Sequence, residues 1–276
     1  MCFGEGAAID IIKVSGKPRI SAVSAAIAGR VISSTHSNQS AARLAFETIR
    51  VKLSAGSADV DVYWPDTAAA APLVIVAHGF FRHRHNMSGW GQHLAEQGFA
   101  VAVPDLPARS DHARNGRFIS DLRAYLCTSE TWMQRIDPFR VGLMGFSAGG
   151  LASLLSAADK PELSIWVGLD PVDWNSTGAK AAALVKCRAV VLTAEPSACN
   201  SHGNARNIIA ALPHCEHFSI AGAVHVDAEW PTDWMAEAVC GRSTEERRSE
   251  FRQRATAALR DALAKPPAAG SQEGTR

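Results

Sequence analysis

The chain has 276 residues, 47% of them hydrophobic, and a formal net charge of +1. That length and apolar content suit one large core, and the near-neutral balance excludes a dedicated nucleic-acid binder or a sink for acidic substrates. No apolar run approaches the ~18 residues that span a bilayer, and the best export-signal candidate, Ile20 to Ile27, is short and serine-rich, so a soluble protein without a membrane span is expected.

Residues 1–41 carry no sustained period and are rich in Gly, Ser and Ala, which predicts a tail or a loosely docked arm ahead of a domain over residues 42–264. Phe46 to Leu53 and Val60 to Trp64 alternate polar and apolar residues, the pattern of strands with one wet face at a sheet's edge. Leu73 to Ala77, Phe99 to Val103, Val141 to Met144, Ile165 to Leu169 and Ala189 to Leu192 are mostly apolar, as parallel strands covered on both faces should be. Helical candidates lie between them at Trp90 to Gln97, Phe118 to Leu126, Leu151 to Ala158 and Ala205 to Leu212. The alternation predicts an α/β class, a single domain with a mostly parallel central sheet and helices on both faces. Ser243-Thr244-Glu245-Glu246 reads as a capping box before a stripe of Phe251, Ala255, Leu259 and Leu263. Residues 265–276, with Pro266-Pro267-Ala268-Ala269-Gly270, read as a disordered tail.

The six cysteines, at 2, 127, 187, 199, 215 and 240, form no paired C-x-x-C, and no zinc site is expected. Cys199 and Cys215 flank one loop and helix; a disulfide between them and two small buried thiols are both open readings. His214-Cys215-Glu216-His217 enters a strand-like run, where successive side chains point to opposite faces and cannot readily converge on one ion.

The chemistry-bearing constellation centres on Gly145-Phe146-Ser147-Ala148-Gly149, between a strand and a helix. Glycines two residues either side of a serine permit a sharp elbow that holds Oγ above a sheet at a helix N-terminus, where a nucleophile is useful. An acyl-transfer serine needs an acid and a base following it in chain order. Asp170, after the strand Ile165 to Leu169, is the acid candidate, with Asp173 as local competitor and a turn aspartate as the bland alternative; Glu195, after the next strand, sits at a shifted place. His225, after the last strand and before the last helices, is the base candidate, whose neutral imidazole would take and return the serine proton. His78-Gly79-Phe80-Phe81 ends a strand and offers the Phe80 N–H, beside that of Ala148, as an oxyanion hole. Phe81, Phe146 and Trp174 are expected to wall an apolar pocket. Arg82-His83-Arg84-His85 either attracts an anionic group or is a loop of paired charges.

On these residues the chain resembles the α/β-hydrolase superfamily, and within it the branch of chlorophyllases, plasma-type platelet-activating-factor acetylhydrolases and cutinase-like polyester hydrolases, over about Phe46 to Leu263. The chlorophyllase likeness rests on Asp170-Pro171-Val172-Asp173, Cys199-Asn200, His217-Phe218 and the Gly222 to Asp227 loop. The polyester-hydrolase likeness rests on His78-Gly79-Phe80, Asn115-Gly116-Arg117 before a helix, and Arg135-Ile136-Asp137 leading to Val141. Members of the polyester branch usually take their acid from the later strand, Phe146 stands where these relatives usually have His, and Ala148 where chlorophyllases usually have Arg. The resemblance implies an α/β-hydrolase fold, a Ser147, Asp170, His225 triad and a cofactor-free serine esterase acting on a small-molecule or polymeric ester with an apolar portion. Chlorophyllase, acetylhydrolase and polyester specificities stay open, as do a peptidase, a thioesterase and a non-catalytic binding protein on the same fold.

Overall fold

A computed structural model describes residues 45–160 and 162–264. The tails expected at residues 1–41 and 265–276 lie outside the described residues. Eight strands, β1 (Ala45–Leu53), β2 (Gly56–Trp64), β3 (Ala71–Ala77), β4 (Ala100–Pro104), β5 (Ile136–Phe146), β6 (Ile165–Leu169), β7 (Arg188–Thr193) and β8 (Cys215–Ser219), form one sheet in the order β1-β2-β4-β3-β5-β6-β7-β8. β2 runs antiparallel to β1 and β4, and every other pair is parallel. This is the mostly parallel sheet that the alternating runs predict, in the α/β-hydrolase arrangement that the resemblance implies.

The helices are α1 (Ser88–Glu96), α2 (His112–Thr128), α3 (Ala148–Asp159), α4 (Thr177–Ala182), α5 (Ala205–Ala211), α6 (Trp234–Cys240) and α7 (Glu245–Ala262). Strand alternation divides the core into two layers. Leu73, Ile75 and Trp166 pack with Phe118, Leu122, Leu154 and Ile208 on the side of α2, α3 and α5. Val74, Val76 and Val167 pack with Trp90, Leu94, Phe251 and Leu259 on the side of α1 and α7. Both faces of the inner strands are therefore dry, which is why β3, β4 and β6 read as unbroken apolar runs.

Three boundaries differ from the pattern, each for a local reason. β2 has no wet face in its second half, because α1 covers Tyr63 and Trp64 stacks on Trp132 with ring centroids 5.3 Å apart. α2 begins at His112, ahead of Asn115-Gly116, because Asp111 caps it by accepting a 2.8 Å bond from Arg114 N–H. α7 is capped by Thr244 rather than Ser243, whose hydroxyl donates to Glu237 instead. α4 and α6 lie outside the predicted helices.

Cys199 is bonded to Cys240, with Cα atoms 5.7 Å apart, and not to Cys215. Topology decides this. Cys215 pairs with Ala189 at the start of β7, whereas Cys199 follows the far end of that strand, so the two sulfurs stand at opposite ends of the sheet. Burial pushes the free Cys215 thiol up to about 11. In β8 Glu216 pairs with Arg188 at 2.7 Å, while His217 meets the Thr193 hydroxyl at 2.9 Å. Among the described residues no helix is long and apolar enough to cross a membrane.

Candidate active site

The site lies where the parallel strands end. Ser147 follows β5 with φ 53° and ψ −121°, a conformation a serine adopts only under constraint. Its N–H donates to Leu169 O at 3.1 Å and its carbonyl accepts from Val172 N–H at 3.2 Å, so the elbow is stitched to the end of β6. The flanking glycines are sterically required. A Cβ on Gly145 would come within 2.3 Å of Gly149 O, and one on Gly149 within 2.2 Å of His78 O.

Beside the elbow, β6 delivers Asp170 and the turn after β8 delivers His225; their side chains are 1% and 6% exposed. His225 Nε2 stands 2.9 Å from Ser147 Oγ, and Nδ1 stands 2.6 Å from Asp170 Oδ2. An aspartate there accepts from Nδ1–H, which leaves Nε2 as the acceptor for the serine hydroxyl. Asp170 takes two further bonds, 3.1 Å from Ala194 N–H and 3.0 Å from the Asn200 carboxamide.

The rival acids are engaged elsewhere. The Asp173 carboxylate accepts from Gly178 N–H at 2.6 Å and Ala179 N–H at 3.3 Å, tying down the first turn of α4. Glu195 is exposed and accepts from Gly222 N–H at 3.2 Å.

Two arginines fasten the turn that carries His225. On one side Arg82 forks onto Glu229 at 2.6 and 2.7 Å and also reaches Asp233 at 2.8 Å. On the other, Arg247 donates to Asp227 at 2.6 Å, and Asp227 further accepts from Val224 and Thr244 N–H. Arg84 is likewise taken up by Asp61 and Asp105, so the basic loop is one of paired charges. Burial raises the Glu229 carboxyl although Arg82 pulls it the other way. His78 accepts from Leu106 N–H at 2.9 Å and donates through Nδ1 to Gly79 O at 2.9 Å, joining the loops after β3 and β4. Burial lowers its pKa, in keeping with a neutral ring.

Two hollows open at the elbow. The smaller, about 170 Å³, is lined by Ser147, Leu151, Val172 and Trp174. The larger, about 400 Å³, holds Phe81, and Phe80, His112 and Ala148 line both. Phe146 lines neither. It ends β5 facing inward, 3% exposed, with its ring 4.7 Å from that of His225. Trp230 packs on Gly89 of α1, while Trp234 is exposed on α6. Phe80 is the second residue of the loop after β3, and Ala148 opens α3, where an N–H has no intrahelical acceptor.

Asn200 escapes sequence reasoning as a site residue. Only the resemblance singles it out, beside Cys199, yet its side chain is fully satisfied: Nδ2 donates to Asp170 and Glu195 O, and Oδ1 accepts from Ser197 and Gly203 N–H. Arg82, Asp227, Glu229 and Arg247 pair over separations that no local pattern reports.

A family model described as PETase, PET hydrolase-like, matches residues 25–227. A bis(hydroxyethyl) terephthalate hydrolase of Streptomyces coelicolor is 32% identical over 117 residues, 41% of this chain and 37% of its own. The quorum-quenching protein AidA of Acinetobacter baumannii is 28% identical over 120 residues, 40% of this chain and 38% of its own. Cutinase est1 of Thermobifida alba is 25% identical over 119 residues, 42% of this chain and 40% of its own. In each case the match spans less than half of the relative's length.

Proposed function

The chain belongs to the PET hydrolase-like family, and from that premise we propose that it is a serine hydrolase of carboxylic esters with polyester-type specificity. The observation that carries the reading is the continuous contact from Ser147 Oγ through His225 to Asp170, at 2.9 and 2.6 Å. Ser147 attacks the ester carbonyl while His225 Nε2 takes its proton and passes it to the departing alcohol. The tetrahedral oxyanion rests on Phe80 and Ala148 N–H, and water activated by His225 releases the acyl group. Asp170 holds the imidazole in the Nδ1–H tautomer and balances its charge. Leu151, Val172 and Trp174 support an apolar or aromatic substrate portion in the smaller hollow.

A fluorophosphonate probe tests this directly. Mass spectrometry should find one adduct, on Ser147, absent from Ser147→Ala, and the parent should release acid from bis(hydroxyethyl) terephthalate. A protein with no Ser147 adduct and no ester turnover is a binding protein on this fold, and the reading fails.

Asn200 acts here as a positioning residue. Asn200→Ala is expected to lower kcat about tenfold, the loss of one hydrogen bond to a charged group. Asn200→Asp should cost more, because a second carboxylate then faces Asp170 where the amide donated. An unchanged kcat in both variants would show that Asn200 only packs.

A further inference from the structure

The larger hollow has a lining unlike the smaller one. Its polar side chains are His78, Arg82, Arg109, His112 and Asn115, with no acidic residue among the lining. The fold uses three of them. Arg82 is forked onto Glu229, His78 bridges Gly79 and Leu106, and Asn115 bonds both the N–H and the carbonyl of Ala108. Arg109 is different. It is exposed, its guanidinium lies 4.1 Å over the Phe81 ring, and no carboxylate among the described residues pairs with it. A guanidinium stacked on an aromatic face keeps its in-plane N–H donors free, held in a fork that matches a carboxylate. Phe81 itself adopts φ 56° in the turn after β3, with its ring centroid 4.1 Å from that of Phe80. Phe80 and Ala148 line both hollows, so a substrate with its scissile carbonyl at Ser147 extends one end towards Arg109.

We propose that the larger hollow is a subsite for a carboxylate carried by the substrate, with Arg109 as its bidentate donor. The substrate class is a monoester of a dicarboxylic acid, the product left when one ester bond of a diester has been cut. The free acid end accepts from Arg109 while the remaining ester lies beside Ser147. This deepens the hydrolase reading and rests on it.

The test compares kcat/KM of the full chain on the monomethyl and dimethyl esters of one aromatic dicarboxylic acid, in the parent, Arg109→Gln and Arg109→Glu. The parent is expected to favour the monoester. The monoester-to-diester ratio should fall about tenfold in Arg109→Gln, mainly through KM, and further in Arg109→Glu, where the charge is reversed. A parent that cleaves the diester, with the same ratio in all three proteins, overturns the subsite alone. A parent that cleaves neither ester and takes no fluorophosphonate label overturns the hydrolase reading, and the subsite with it.

Discussion

Replacing Asp170 by Asn is expected to lower kcat by about four orders of magnitude with the fold intact. The amide still accepts from Ala194 N–H, so the side chain keeps its place. It no longer offers a charge to His225 Nδ1, and it turns an N–H towards a ring that must itself donate there. The imidazole then adopts the wrong tautomer or tilts away, and Ser147 loses its base. Asp173→Asn and Glu195→Gln form the controls. Asp173 faces backbone N–H groups of α4, where the change costs about 1 kcal/mol of stability rather than chemistry. Glu195 faces solvent and Gly222. Steady-state kinetics on one ester ranks the three, and a larger loss in Glu195→Gln would move the acid to the end of β7, where the polyester branch usually keeps it.

Arg82→Met should destabilise the protein by about 3 kcal/mol at pH 8, because Glu229 is left as a buried charge without its partner. The sign of the pH dependence is fixed. Burial already raises the Glu229 carboxyl, and losing Arg82 raises it further. The folded variant then retains a proton that the unfolded chain releases above its ordinary 4.5. Stability relative to the parent therefore falls as pH rises from the parent's folded value, itself above 4.5, through the variant's higher one, and levels off beyond it. Urea midpoints of both proteins from pH 5 to 8 measure the difference, and adding Glu229→Gln should recover most of it. A loss that is the same at every pH, with no recovery in the double variant, would assign the damage to lost packing of the arginine stem.

The sheet was legible because its inner strands are dry on both faces, which writes them into the sequence as unbroken apolar runs. α6 was not legible. None of its residues is buried, so it carries no apolar stripe, and it is held by the Asp233 cap and the Cys199–Cys240 bond. The disulfide partner was hidden for the related reason that sequence distance says nothing about which end of the sheet a cysteine occupies. Ser147, Asp170 and His225 could be read from chain order because each ends a strand or follows the last one. Asn200 and the Arg82–Glu229 pair could not, since their partners lie 30 and 147 positions away. Phe146 was misplaced for want of one fact, that the elbow turns Ser147 outward only after the strand's last side chain has turned in.

The turn bearing His225 is held by carboxylates whose side chains are inaccessible to solvent, Glu229 and Asp227, both 0% exposed. Mobile ions screen exposed charges over about 8 Å at physiological ionic strength and reach such pairs poorly. In brine, then, the serine, histidine and aspartate stay assembled while exposed pairs such as Arg50–Asp59 fade. Salt becomes a means of separating the two halves of this cleft: the proposed triad is insulated from it, and the solvent-facing guanidinium of Arg109 is not.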